Sequence, residues 1–296
     1  MKKKIVSICL VLAILAVAVT GTLAYLTDTD QALNTMTLGD IEIDQTEWQR
    51  KTDANGFIST GTEDGYGYAP DMLEEFAQDK LMLPATGNAE WEEKTAGEEW
   101  QQSWAQIGAP GSNQMLGGDL GNVIDKIVTV ENTGDNDVYY RTIILIEDPT
   151  GIDHSNFKTN HETIMLNRNS NARFDWNQTM AGAQQDSSDL EKIYDVMING
   201  VRHYAVVATY TEKLAPAEVS RPTLLQAYMQ GAVTNEEYAL FGDKVTILAY
   251  TQAVQADGWS DGDGTYAAQR ALNAAFGVLD ADAIEALDWD LTDFVA

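Results

Sequence analysis

Three histidines are the residues of this sequence that could hold a catalytic metal ion. A zinc peptidase helix carries two histidines four residues apart with a glutamate after the first, because this spacing places both imidazoles on one helical face. His161-Glu162 begins such a motif, but Met165 stands where the second histidine is needed. His154 falls in a predicted loop and His203 on a predicted strand. The spacing therefore argues against a zinc peptidase.

Other residue types give little support to catalysis. Cys9 is the only cysteine, and it lies in the apolar run at the start of the chain, so the rest of the sequence offers no nucleophilic thiol. Acidic residues number 46, so the proximity of any two along the chain carries no information about general acid–base catalysis. No Gly-rich phosphate loop precedes a predicted helix. We therefore predict no catalytic residues and a protein that is not an enzyme.

One acidic segment has the composition of a calcium loop. Asp257, Asp261 and Asp263 alternate with glycine, and carboxylate oxygens are the ligands that Ca²⁺ prefers. An EF-hand loop that starts at Asp261 needs glycine and glutamate where the sequence has Tyr266 and Leu272. An irregular Ca²⁺ site and a flexible acidic turn are the two interpretations, and no other cofactor is predicted.

The first 24 residues have the three parts of a secretory signal peptide. Lysines 2 to 4 give a positive start, and residues 5–21 form an apolar run. Thr22 and Ala24 then supply small residues at the third and first positions before a cut. We predict cleavage between Ala24 and Tyr25. The apolar run lies near the lower limit of about 17 residues for crossing a bilayer, so a retained membrane anchor is the alternative.

The composition predicts an exported, acidic protein without disulfides. Cys9 lies inside the leader, and a mature chain of this length buries a core large enough to be stable without cross-links. The formal net charge is −28, and it becomes more negative when the leader lysines are removed. Such a surface repels nucleic acid and anionic membrane, which argues against both as partners, and it favours solubility, multivalent cations and basic partners.

Strand patterns begin regularly at residue 123. Residues 138–147 are apolar on both faces, which predicts a central strand. Asn199-Gly200 suits the two positive φ angles of a type I′ turn, and it predicts a hairpin with Ile198 opposite Val201 and Val196 opposite His203. Further strands are predicted at 123–132, 218–228 and 245–255.

The amino-terminal third of the mature chain is less regular. Apolar residues change parity across Gly39, which predicts two short strand pieces joined by a bend. Residues 46–122 form a long insertion of low regularity that is rich in Trp and Gly, with a short helix predicted over 72–83 behind Asp71 as N-cap. A helix over 264–277 is predicted to stop at Gly277, and the acidic tail is expected to hold one further short helix.

These elements predict one mainly β domain over residues 25–296. Several strands joined by turns, with few helices, are typical of an antiparallel β-sandwich. The long irregular insertion and the C-terminal helix decorate this sandwich.

Six segments of the sequence resemble a known group of secreted proteins. They are Gly21-Thr-Leu-Ala-Tyr-Leu-Thr-Asp-Thr-Asp30, Asn34-Thr-Met-Thr-Leu-Gly-Asp-Ile-Glu-Ile-Asp44, Lys126-Ile-Val-Thr-Val-Glu-Asn-Thr-Gly134, Val138-Tyr-Tyr-Arg141, Val245-Thr-Ile-Leu-Ala-Tyr-Thr-Gln-Ala-Val-Gln255 and Ala271 to Gly277. The set is similar to the family with a SipW-dependent signal peptide, which contains TasA-like and camelysin-like proteins. The resemblance leaves residues 46–122 and 148–190 uncovered.

The resemblance implies a fold, a location and a mode of assembly. It implies a jelly-roll-like β-sandwich, export after cleavage by a signal peptidase of the SipW type, and a place in a biofilm matrix or on a bacterial cell surface. It further implies that the amino-terminal strand inserts into the sheet of the next subunit, with Leu33, Met36 and Leu38 as inserted apolar positions. The alternative is that this segment pairs within its own chain as an edge strand.

The resemblance also sets the expected partners. They are copies of the chain or related matrix subunits, and the membrane is contacted only through an uncleaved signal peptide. The first alternative function is an extracellular glycan- or protein-binding module that uses the tryptophans of residues 46–122. The second is a camelysin-like metallopeptidase, which the histidine spacing disfavours.

Overall fold

The structure is a computed structural model, and it describes residues 27–31, 34–35, 41–52, 70–77, 80–85, 91–93, 100–102, 115, 122–151, 163–169, 173–176, 192–231, 233–242, 245–259 and 267–289. For residues 27–31, 34–35, 91–93 and 100–102 the backbone alone is described. The predicted leader, the cut between Ala24 and Tyr25, and the bend at Gly39 lie outside these residues. No helix in the described ranges is long and apolar enough to span a bilayer.

The described elements are mostly strands. In chain order they are β1 (Thr27–Gln31), β2 (Asn34–Thr35), β3 (Ile43–Arg50), β4 (Leu73–Glu75), β5 (Trp91–Glu93), β6 (Trp100–Gln102), β7 (Ile124–Asn132), β8 (Val138–Glu147), β9 (Ile164–Arg168), β10 (Phe174–Asp175), β11 (Ile193–Ile198), β12 (Val201–Tyr210), β13 (Leu224–Met229), α1 (Asn235–Leu240), β14 (Ile247–Gln255), α2 (Ala267–Phe276) and α3 (Ala281–Glu285).

Two antiparallel sheets pack face to face. Sheet A has the strand order β10-β12-β8-β14-β1-β2, and β11 also pairs with β12. Sheet B has the order β4-β3-β7-β13-β9, while β5 and β6 form a separate two-stranded ribbon. The predicted mainly β antiparallel sandwich with a C-terminal helix is confirmed.

The central hairpins follow the predicted local chemistry. Strand β8 pairs with β12 on one side and β14 on the other, and it is buried along its length except at Glu147. Asn199 and Gly200 have φ angles of 51° and 81°, as a type I′ turn requires. Ile198 lies opposite Val201 and Val196 lies opposite His203, so the predicted register is confirmed.

The main core lies between the sheets. Alternate residues of β3, β7 and β13 in sheet B face alternate residues of β8, β12 and β14 in sheet A. The fully buried members include Ile43, Val130, Ile144 and Val206. This strip of branched side chains is the apolar surface that drives the two sheets together.

Helices α2 and α3 cover the outer face of sheet A. Ala268, Ala271 and Leu272 of α2 pack on Val254, while Ile284 of α3 packs with the apolar face of β11 and β12. Gly277 has a φ of 84° directly after α2, so the predicted helix and its stop are confirmed. The short helix predicted in the acidic tail is α3.

The helix predicted over residues 72–83 is wrong. Residues 70–72 form a single 3-10 turn, and the next residues are β4, which pairs with the end of β3. Lys51 N–H donates to Met72 O at 2.8 Å and Phe76 N–H donates to Glu47 O at 2.9 Å. An edge strand that offers backbone partners outweighs a weak helical spacing of apolar residues.

The strand predicted over residues 218–228 begins six residues late, at Leu224. Before it, Ser220 and Thr223 donate their backbone N–H groups to Val130 and Val128 of β7. Pro222 between them has no N–H to donate, so the regular ladder cannot start earlier.

Candidate functional site

The amino-terminal segment pairs with the sheet of its own chain. Strand β1 runs antiparallel to β14, with Thr27 opposite Val254 and Gln31 opposite Tyr250. Strand β2 folds back on the end of β1 and forms the last strand of the sheet. The alternative of an intrachain edge strand is therefore the arrangement that the structure contains. Leu33, Met36 and Leu38 lie outside the described residues.

The described contacts of β1 with sheet A are the backbone pairs of its strand ladder. Within the described ranges, residues 27–29 pair with β14 on one side only, because β2 reaches no further than Asp30. Each backbone hydrogen bond contributes about 1 kcal/mol net. Strand β1 thus has a shorter backbone ladder than β14, which pairs with β8 along its full length.

A buried polar network holds β14 from the core side. Gln45 of β3 donates from Nε2 to Ala249 O at 3.1 Å, and its Oε1 accepts from Thr251 Oγ1 at 2.6 Å. The Thr251 hydroxyl also lies 3.0 Å from Thr142 Oγ1 of β8. Buried polar groups that satisfy each other in this way fix a unique register between sheets. We call Gln45, Thr142 and Thr251 the cross-sheet network.

The outer face of β14 is held by the C-terminal helices. Tyr250 packs against Trp289 with ring centroids 5.6 Å apart, and Val254 packs under α2. Gln252 accepts a hydrogen bond from Arg141 Nε at 2.7 Å. Both faces and one edge of β14 are therefore occupied by the body of the domain, and its other edge is occupied by β1.

Arg141 is a buried cation with neutral partners. Besides Gln252, its guanidinium donates to Asn273 Oδ1 at 3.0 Å and to Gly277 O at 3.3 Å, at the C-terminal end of α2. Burial lowers the pKa of Arg141 to about 10, with a smaller opposing effect from the Tyr194 hydroxyl. The side chain thus stays charged at neutral pH, where the negative end of the α2 dipole stabilises it.

The predicted calcium ligands are only partly within the described residues. Asp257 lies in a turn after β14, and its carboxylate is 3.9 Å from Lys213 Nζ. The same ammonium group lies 3.9 Å from Asp137. Asp261 and Asp263 are outside the described part. In the residues that are described, no group of three His, Cys, Asp or Glu side chains is arranged to hold a metal ion.

His203 is a buried strand residue, whereas His154 and His161 are outside the described residues. Its Nδ1 lies 3.0 Å from Val201 O and its side chain is opposite Glu147 across the β12–β8 pair. Burial lowers the pKa of His203, and the Val201 carbonyl and the Glu147 charge oppose this shift. The imidazole is therefore neutral in the folded protein near pH 7.

The groups that position β14 are not marked by any catalytic or binding motif in the sequence. One signal for Gln45 was present, since it follows Ile41 and Ile43 at the inward-facing parity of β3. A polar residue at an apolar position predicts a buried partner, but it does not say which. Arg141 carried the same kind of signal, since it stands between Tyr139 and Ile143 on an apolar face of its strand, whereas Thr251 is a common strand residue and gave none.

Comparison of the chain with protein-family models, curated proteins and solved structures finds no match.

Proposed function

We propose that this chain is a secreted structural subunit of an extracellular matrix, fibre or cell surface, and that it assembles by exchange of its amino-terminal strand. The observation that carries the proposal is the position of β1. Strand β14 pairs with β8 along one edge, and β1 occupies its other edge. The resemblance of residues 21–44 to secreted matrix proteins supports the same function. No catalytic step is assigned.

The energetics of exchange favour such an assembly. The edge of β14 needs a strand to satisfy its backbone N–H and C=O groups. Strand β1 from a second copy makes the same hydrogen bonds as β1 from the same chain, so exchange loses no pairing and is driven by concentration. When each copy gives its strand to the next, the contact is head-to-tail, and such a contact generates an open filament when its rotation does not close a ring.

The proposed maturation precedes exchange in time. Cleavage between Ala24 and Tyr25 by a signal peptidase of the SipW type would leave β1 two residues from a new amino terminus. A strand at a chain end is released and re-paired without threading a loop. We therefore place the working form outside the cell, after cleavage.

Paired cysteines test the exchange directly. The mature chain has no cysteine of its own, and directly opposed positions of antiparallel strands lie within reach of a disulfide. Thr27→Cys and Val254→Cys are made in separate chains, which are mixed under oxidising conditions and resolved on a non-reducing gel. We expect a disulfide-linked heterodimer, because β1 of one chain meets β14 of the other.

In the control, Val219→Cys replaces Val254→Cys. Val219 is 54% exposed, and it is not opposite any residue of β1. The doubly substituted chain Thr27→Cys/Val254→Cys reports pairing in one chain as an intrachain disulfide. Heterodimer yields no higher than those of the Val219 control, at concentrations where the protein assembles, would exclude strand exchange.

A binding module is the second candidate. Strands β5 and β6 pair with each other, and among the described residues they pair with no strand of sheet A or sheet B. Trp91 and Trp100 belong to this ribbon. Tryptophan supplies a large contact area with a polar N–H, which suits binding to glycans or proteins. A monodisperse mature protein that binds immobilised glycans, and loses binding in Trp91→Ala/Trp100→Ala, would favour this function over the structural one.

A further inference from the structure

Among the described strands, β10 and β11 pair with the side of β12 that faces away from β8 and β1, and β11 is the longer of the two. Ile198 and Val201 flank the two-residue turn, so they exchange hydrogen bonds with each other. The alternation of an antiparallel pair then turns the N–H of Met197 away from β12. An outward N–H on an edge strand is a group through which another strand can pair.

The outward N–H of Met197 is occupied by a side chain of α3. It donates to Glu285 Oε1 at 2.6 Å. Helix α3 is fixed in place, because Asp280 caps its first turn through Ala283 N–H at 2.8 Å and Ile284 is fully buried. The carboxylate therefore reaches the edge from a rigid support.

The same helix covers an apolar strip of β11. Tyr194, Val196 and Ile198 point to the α3 side and are each at most 6% exposed. Met197, on the opposite face, is 50% exposed. A hydrophobic edge strand with an available backbone is a site of edge-to-edge association unless a helix or a charge blocks it. Here α3 supplies both the helix and the charge.

We infer that α3 blocks strand pairing at the edge of β11. When Glu285 no longer accepts the hydrogen bond of Met197 N–H, β11 pairs with β11 of a second copy of this chain. The self-complementarity of β11 supports a second copy as the occupant. Antiparallel pairing about a two-fold axis at Val196 sets Tyr194 of each copy against Ile198 of the other, so apolar residues meet on the α3 side.

The charges of β11 permit this register. Asp195 falls opposite Met197 of the second copy and not opposite its own equivalent, so like charges do not meet. Within its own chain Asp195 is 2.9 Å from Arg202 Nη2. The inference does not depend on strand exchange by β1, since β11 lies at the other edge of the sheet.

Glu285→Ala opens the edge while the apolar anchors of α3 stay in place. Glu285→Gln is the matched control, because its amide oxygen still accepts from Met197 N–H. In sedimentation velocity of the mature protein we expect Glu285→Ala to show a concentration-dependent dimer beyond the association state of the parent. We expect Glu285→Gln to match the parent.

A second substitution ties the dimer to β11. Met197→Pro removes the outward N–H without removing a hydrogen bond to β12, so Glu285→Ala/Met197→Pro should return to the association state of the parent. Circular dichroism of Met197→Pro alone checks that the fold is kept. Amide hydrogen exchange at Met197 should be faster in Glu285→Ala than in the parent when both are dilute.

Three results would overturn the inference. The first is unchanged sedimentation of Glu285→Ala at all concentrations up to those where the parent stays soluble. The second is a dimer that Met197→Pro does not reverse, and the third is unaltered exchange at Met197. The Thr27–Val254 cross-link should be unaffected by Glu285→Ala, so failure here is distinguishable from failure of strand exchange.

Discussion

At the scale of the residue, the sheets are fixed by single polar side chains in apolar surroundings. Arg141 is 1% exposed and draws its partners from β14, from α2 and from the turn after α2. A buried guanidinium is tolerated when its N–H groups are satisfied, and here the acceptors are an amide of Gln252, an amide of Asn273 and the Gly277 carbonyl. The side chain therefore joins the C-terminal helix to the strand that receives β1.

His203 gives the protein a dependence of stability on pH. Burial lowers the pKa of His203 in the folded protein. As the pH falls below about 6.5, the unfolded chain therefore binds a proton on this histidine before the folded protein does. The stabilisation is complete above this pH and is lost as the pH falls toward the pKa of the folded state. Each unit of lowering corresponds to about 1.4 kcal/mol once the group is fully protonated in both states.

Thermal melts at several pH values between 7.5 and 5 test this prediction. The melting temperature of the parent should fall more steeply with acid than that of His203→Asn, whose amide N–H takes the place of Nδ1 and can still donate to Val201 O. The many carboxylates titrate equally in both proteins, so the difference between the two curves isolates the histidine. Parallel curves would contradict a buried, neutral imidazole.

At the scale of the element, sheet B is crossed by a row of polar side chains. Arg50 of β3 donates to both carboxylate oxygens of Asp125 of β7, at 2.7 and 2.9 Å. Gln226 of β13 donates to the same carboxylate at 2.8 Å and accepts from Asn167 of β9. Four neighbouring strands are thus linked by side chains as well as by their backbone ladder.

Asp125→Asn should destabilise the sandwich strongly. Arg50 is 5% exposed, and its charge would be left buried without an anionic partner. Breaking a buried pair in this way costs about 3–5 kcal/mol. Urea unfolding of Asp125→Asn should show this loss of unfolding free energy.

The exposed pair of Arg173 and Glu212 is the control for this measurement. Their side chains are 38% and 50% exposed at a separation of 3.1 Å. Exposed pairs are worth about 0–1 kcal/mol, so Glu212→Gln should change the unfolding free energy little. Equal losses in Asp125→Asn and Glu212→Gln would show that the buried row does not hold the strands together.

At the scale of the whole molecule, the two ends of sheet A differ. One end carries a short strand from the amino terminus. At the other end lies β11, where Glu285 of α3 accepts the outward N–H of Met197. An assembly that adds subunits by strand exchange needs one receptive edge, and a second open edge would cause lateral aggregation. The asymmetry is therefore suited to a subunit that grows in one direction.

The net charge sets a barrier to that growth. Copies with a formal charge of −28 repel each other, and salt shortens the range of this repulsion from about 10 Å at 0.1 M to about 3 Å at 1 M. We expect added NaCl to lower the protein concentration at which filaments appear, measured by light scattering and checked by electron microscopy.

Divalent salts separate screening from ion binding. At matched ionic strength, CaCl₂ and NaCl should act alike if screening dominates. A much stronger effect of CaCl₂, together with a rise in melting temperature of the monomer, would instead indicate bound Ca²⁺ and would return attention to the acidic turn at Asp257. Filaments that dissolve with added NaCl would contradict the screening prediction.

Local chemistry in the sequence determined the parts of the fold that depend on a few neighbouring residues. Asn199-Gly200 specified its turn and the register of β11 on β12, because the positive φ angles leave one hairpin geometry. Gly277 marked the end of α2 for the same reason. The doubly apolar pattern of β8 placed that strand in the centre of a sheet, since only a central strand needs two buried faces.

The pairing of distant segments depends on packing in the folded chain and is not encoded in any local pattern. Strands β1 and β14 are more than 200 residues apart in the sequence. The periodicity of either strand does not indicate which strand it pairs with. Leu73 lies in an edge strand and not in a helix, because β3 supplies backbone hydrogen-bond partners for it. Glu285 lies next to Met197 because α3 packs on β11. Backbone hydrogen bonds are the same for every residue type, so side-chain patterns define a strand and its faces, while the packed core selects its neighbour.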